Sequence, residues 1–324
     1  MLVRPCVVRI NAVRNLLHCG ELTIVHPLKS RVSLMANAGT RPANVPGEYL
    51  NIINNVLLRQ PKGKFMKKLI LAAAVLGAFA ASVHAQTAPA ETPEHTFTGN
   101  LTVASDYRFR GISQTFRQPA VQGGFDYAHS SGFYVGNWNS NVSGNQYNNG
   151  AGLEMDFYGG YKFEPVKDFT ADIGLLYYYY PGAKIGTTGE KYNNGEIYFG
   201  GAYKWFTAKY SYGLTDFFGL NDKTAATARG NSKGSGYLDL AANFEVAEKT
   251  TLTLHAGRQW VRHYGEFNYN DYKVGIARDF GFATIGLAVI GTNADKGLYT
   301  VSDGAGRTKK VGETTAVVSI SKTF

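Results

Sequence analysis

The C-terminal stretch Glu313 to Phe324 reads ETTAVVSISKTF. Successive side chains of an extended strand point to opposite faces. Thr314, Ala316, Val318, Ile320 and Phe324 therefore share one face, and Thr315, Val317, Ser319, Ser321 and Thr323 share the other. The first face is mostly apolar and the second rich in hydroxyls, the alternation of a strand between lipid and a polar interior. In hydrocarbon every backbone N–H and C=O must be paired, so an open sheet edge is not allowed and the first and last strands must meet.

The same alternation recurs upstream. In Asn100 to Gly111, Leu101, Val103, Tyr107 and Phe109 face one way, and Thr102, Ala104, Asp106, Arg108 and Arg110 the other. An Arg facing lipid near the bilayer centre costs about 2–4 kcal/mol, which fixes the charged face inward. Further strands are expected at 120–128, 133–140, 153–163, 169–179, 195–203, 206–212, 236–245, 250–259, 271–279 and 282–291. In 153–163, Leu153, Met155, Phe157, Tyr161 and Phe163 oppose Glu154, Asp156 and Lys162. In 169–179, Phe169, Ala171, Ile173, Leu175, Tyr177 and Tyr179 oppose Asp172.

The connections sort by length. Short ones (129–132, 164–168, 204–205, 246–249, 280–281) alternate with polar, Gly- and Asn-rich ones (112–119, 141–152, 182–194, 213–235, 260–270, 292–312). The expected fold class is thus all-β: a closed antiparallel transmembrane β-barrel of about 12 strands, with short periplasmic turns and long extracellular loops. Strands about 4.8 Å apart and tilted roughly 40° give a backbone diameter of about 24 Å and a lumen on the order of 10 Å.

Met66 to Ala85, MKKLILAAAVLGAFAASVHA, has a basic start, a short apolar core and a small-residue end. It reads as a secretory signal peptide, too short for a membrane-spanning helix. Residues 1–65 then read as an N-terminal extension from a mis-assigned start, outside the fold. Residues 86–96 read as a periplasmic lead-in and 97–324 as the barrel. The extension carries 9 basic and 2 acidic residues, whereas Gln86 to Phe324 carries 22 of each. The overall charge of +9 thus argues for no nucleic-acid partner. Cys6 and Cys19 both lie in the extension, which excludes cysteine nucleophiles and cysteine metal sites from the barrel. The barrel region is rich in aromatics, which suits belts at two membrane interfaces.

Ser105 to Gln114 (SDYRFRGISQ), Gln118-Pro119-Ala120, Gln122-Gly123-Gly124, Asp126-Tyr127 and Gly132 to Val142 (GFYVGNWNSNV) resemble the opening of the TorF-type porin family. That resemblance covers the whole barrel region and implies an outer-membrane β-barrel that passes solutes. A terminal strand ending in Phe324 likewise resembles the closing strand of bacterial outer-membrane barrels, whose last aromatic is read by the insertion machinery. Where that pattern places an apolar or aromatic residue, third from the end, this chain has Lys322.

The inward charges give the candidate pore lining: Asp106, Arg108, Arg110, Asp126, Glu154, Asp156, Lys162, Asp172, Lys209, Asp239, His255 and Lys273. Rings of such charges select solutes; the same residues could equally pair with one another to let a polar interior exist. The expected function is a porin-like channel for passive diffusion of small solutes across the outer membrane. The alternative is a closed structural or adhesive barrel acting through its loops. A lipase-type enzyme would need a serine activated by His255, and no G-x-S-x-G or other partner marks one. No cofactor or metal site is expected. The expected partners are outer-membrane lipid and lipopolysaccharide, the insertion machinery and small solutes; a homo-oligomer suits the architecture too.

Overall fold

The computed structural model describes residues 93–147 and 151–324. The extension (1–65), the signal peptide (66–85) and residues 86–92 of the lead-in lie outside the described residues. Twelve strands close into one antiparallel barrel. They are β1 (His95–Ala104), β2 (Ala120–His129), β3 (Phe133–Asn141), β4 (Leu153–Val166), β5 (Phe169–Tyr179) and β6 (Asn194–Tyr203). The other six are β7 (Phe206–Gly213), β8 (Gly236–Ala247), β9 (Thr250–Trp260), β10 (Tyr269–Asp279), β11 (Thr284–Thr292) and β12 (Thr315–Thr323).

Each strand pairs with its neighbours in sequence, and β1 pairs with β12 from Asn100↔Thr323 to Ala104↔Ser319. Phe324 completes that seam: its N–H donates to the Gly99 carbonyl (2.8 Å), and the Gly99 N–H donates back to the Phe324 carbonyl (3.2 Å). The alternation read from the terminal stretch is realised. Val318 is 53% exposed on the outer wall, while Val317 is fully buried on the inner one. Phe97, Phe125, Leu175, Phe199, Val274, Leu287 and Ile320 are likewise exposed outside. That is the surface of a barrel bathed in lipid.

The tight turns lie on one rim. Asp168, Lys204 and Lys249 each take a positive φ there, at 66°, 53° and 55°. Near that rim His95 and His129 face each other across β1 and β2, with Tyr127 and Phe97 beside them, as part of an aromatic girdle. Inside, tyrosines lie over glycines of adjacent strands. A Cβ on Gly160 would stand 2.8 Å from the Tyr134 ring, and one on Gly257 would stand 2.7 Å from that of Tyr237.

One expected strand is corrected. The alternation read through Asn100 to Gly111 is two pieces: β1 ends at Ala104, and Arg108–Phe109 pairs with Ile112–Ser113 in a separate two-stranded hairpin. Two positive-φ residues, Arg110 (47°) and Gly111 (79°), turn that hairpin, as a two-residue hairpin loop requires. The alternation in sequence continues past Ala104, but Tyr107 and Phe109, expected on the outer face, are as buried as Arg108 and Arg110, because a hairpin inside the lumen has no lipid-facing side.

Candidate functional site

The segment 105–119 folds into the barrel from the long-loop rim, and residues 106–116 are all buried. Its contacts reach walls on every side. The Tyr107 hydroxyl donates to Glu154 of β4 (2.7 Å), and its ring packs edge-on against Trp138 of β3. Phe109 meets Tyr178 of β5. Arg110 reaches β6, β8 and β9. A Cβ on Gly111 would stand 2.7 Å from that of Asp271 on β10. A segment that touches opposite walls of a closed barrel must lie in its lumen.

Asp106 organises the fold of this insert. It accepts from Arg108 Nε (2.6 Å), the Ser113 hydroxyl (2.6 Å) and the Thr115 hydroxyl (3.1 Å). Arg108 Nη1 also donates to the carbonyls of Gly111, Val311 and Glu313. The insert is thereby tied to the segment that precedes β12. At its outer end, Arg117 pairs with Glu313 (3.1 Å) and Lys309 donates to the Phe116 carbonyl (3.0 Å). The Tyr147 hydroxyl donates to the Gln114 side-chain oxygen. Burial, and then the nearby Glu154 charge, push that phenol well above its ordinary pKa.

Around the insert the inner wall is buried on all twelve strands. Thr102, Gln122, Ser140, Glu154, Tyr178, Glu196, Ser211, Tyr237, Gln259, Asp271, Ile290 and Val317 represent β1 to β12 in order. Toward the short-turn rim the inward residues become partly exposed, and the charges alternate around half the wall. Lys162 stands opposite Asp172, and Lys209 opposite Asp239. His255 lies between Asp239 (3.2 Å) and Asp271 (2.8 Å), and its register partner is Lys273. Tyr134 donates to Asp172 (2.6 Å) and Tyr158 to Asp126. The lumen is therefore a polar vestibule behind a filled outer half.

The twelve sequence-derived residues fall into three groups. Asp106, Arg108 and Arg110 sit on the insert rather than on a strand of the barrel. Glu154 and Asp156 stand behind it, each with one buried carboxylate oxygen for which the described residues provide no hydrogen bond. Asp126, Lys162, Asp172, Lys209, Asp239, His255 and Lys273 line the vestibule. The partners described for His255 are Tyr237, Asp239 and Asp271; no serine is among them.

Sequence reasoning passed over Glu196, Tyr237, Gln259 and Asp271. Glu196 was legible, because it shares parity with Tyr198 and Gly200 on one strand. Asp271 is the first residue of the expected strand 271–279, whereas β10 begins two residues earlier, at Tyr269, and so holds Asp271 within the wall.

Fold and lumen together define a membrane-spanning β-barrel with an inserted loop. The chain belongs to the Gcw_chp family, described as a bacterial protein of unknown function, whose family model matches residues 87–324. No curated protein matches it by sequence. Among solved structures it is similar to KdgM porin, at 9% identity and a TM-score of 0.42, covering 70% of this chain and 99% of that one. It is also similar to NanC porin (8%, TM-score 0.40, 70% and 98%) and to Pseudomonas aeruginosa OprD (13%, TM-score 0.34, 78% and 74%). At these values no solute or mechanism transfers.

Proposed function

We propose that this protein is an outer-membrane, porin-like channel for small solutes, and that the insert 105–119 is its gate. The observation that carries the reading is how the insert is held. Apart from Ser105 and Pro119 at its two ends, its described hydrogen bonds to barrel strands are made through its own side chains, and Arg110 at its centre sits in a buried ion pair with Glu196 of the wall, beside the buried Arg108–Asp106 pair within the insert. Replacing buried ion pairs with well-packed apolar residues is often neutral or stabilising. A plug meant only to seal would gain nothing from charge. A plug that must leave gains, because its charges and those of the wall regain water outside. The partly exposed charges of the vestibule suit solute passage beneath it. The resemblance of Ser105 to Gln114 to the TorF-type porin family supports the same reading.

The filled outer half favours a second reading, a permanently closed barrel whose loops do the work. Planar-bilayer recordings separate the two. The protein extracted from membranes is compared with a variant in which residues 107–118 are replaced by a short Gly-Ser linker. Brief or rare openings in the native chain and steady steps in the variant are expected. A native chain that never opens, or a correctly folded variant that passes no current, would refute the channel.

A further inference from the structure

Three groups of the barrel wall surround the Arg110 guanidinium of the insert. Arg110 Nη2 donates to both oxygens of Glu196 (2.9 and 2.6 Å), and Nη1 donates to Gln259 Oε1 (2.8 Å). The guanidinium carbon lies 4.3 Å from the centre of the Tyr237 ring. A carboxylate fork, an amide oxygen and an aromatic face are the groups that recognise a planar organic cation.

Each of these wall groups is also positioned by other barrel residues. Gln259 Nε2 donates to the carbonyls of Gly236 (3.0 Å) and Trp260 (3.1 Å), which turns its oxygen toward Arg110. Glu196 accepts from Asn194 (3.2 Å). The Tyr237 hydroxyl donates to Asp271 (2.9 Å). Each wall group thus has a positioning partner other than Arg110.

Arg110 itself is an odd choice for its backbone. Its φ of 47° lies in the left-handed region, and the first turn position it occupies favours Asn, Asp or Gly. With its backbone in a conformation that favours other residues, Arg110 contributes to this site through its guanidinium head, which these wall groups hold.

We infer that Glu196, Gln259 and Tyr237 form a binding subsite for small organic cations of the guanidinium or alkylammonium class. Arg110 is its tethered occupant. Cation and seated Arg110 exclude each other, so in the native chain a solute cation favours the unseated insert by the difference in its affinity for the two states. The subsite rests on wall geometry alone; its part in opening rests on the channel reading above.

N-ethylguanidinium replaces the atoms that Arg110→Ala removes beyond Cβ. Calorimetry on the membrane-extracted protein in detergent should show it binding to Arg110→Ala and not to the native chain. Binding to Arg110→Ala/Glu196→Gln should be about ten- to a hundredfold weaker, from loss of a charge-assisted hydrogen bond. Absence of binding to Arg110→Ala, or equal binding to the double variant, overturns the subsite. Bilayer recordings on the same preparation keep the two ideas apart. Binding without current removes the channel and leaves the subsite; current without binding does the reverse. Should Arg110→Ala fail to fold, hydrogen exchange on the native chain decides the matter. N-ethylguanidinium should then speed exchange of the 105–119 amides more than sodium does at equal ionic strength, and equal rates overturn the proposal.

Discussion

Replacing Arg110 with alanine strips the hairpin tip of its bidentate bond to Glu196, its bond to Gln259 and its stacking on Tyr237. Glu196 is left as an uncompensated buried carboxylate. Removing one partner of a buried ion pair costs about 3–5 kcal/mol, most of it the penalty on the charge left behind. That penalty is relieved if the insert leaves and water enters, so it falls on the seated state. At about 1.4 kcal/mol per factor of ten, the unseated fraction should rise a hundredfold to a few thousandfold. Hydrogen exchange read by mass spectrometry measures this directly, because amides in 105–119 exchange through that opening while the barrel ladder stays protected. Arg110→Lys keeps a charge and loses the fork, so its exchange should fall between the two. Unchanged exchange across 105–119 in a correctly folded Arg110→Ala barrel would refute the argument that this ion pair holds the insert.

Other positions test the frame. Leu287 faces outward, is 50% exposed and pairs with Val318; Leu287→Arg should lower stability in lipid vesicles by about 2–4 kcal/mol in urea titrations. Native stability in that variant would mean that Leu287 does not face lipid. A Cβ at Gly257 would stand 2.5 Å from Asp271 Oδ2 and closer still to the Tyr237 hydroxyl. Gly257→Ala should therefore cost about 1–3 kcal/mol by overpacking and, by pushing Tyr237 off Arg110, speed exchange of the insert. No change in either quantity would remove Tyr237 from the site. Deleting Phe324 removes two seam hydrogen bonds to Gly99, worth about 1–3 kcal/mol together. The fraction of heat-modifiable, folded barrel in the membrane should fall, and full assembly would show that the seam closes without it.

The amino-acid sequence by itself determined the barrel. Alternation with period two is a local property, and lipid enforces it at every outward position, so Val318 against Val317 or Leu153 against Glu154 could be read one residue at a time. Turn and loop lengths then settled which strands pair, because sequential antiparallel neighbours need no long-range information. The Asp239–His255–Asp271 cluster was legible only in part: parity placed Asp239 and His255 inside, while the start of β10 hid Asp271. What only the tertiary structure decided is where 105–119 goes. Its alternation continues that of β1, and nothing local says whether an Arg that faces inward lines the wall or sits on a hairpin inside it. That choice is made by partners far away in sequence, Glu196, Tyr237 and Gln259 for Arg110 and the carbonyls of Val311 and Glu313 for Arg108. Those groups share a site only after the sheet has closed, because closure alone brings β6, β8, β9 and the approach to β12 around one lumen.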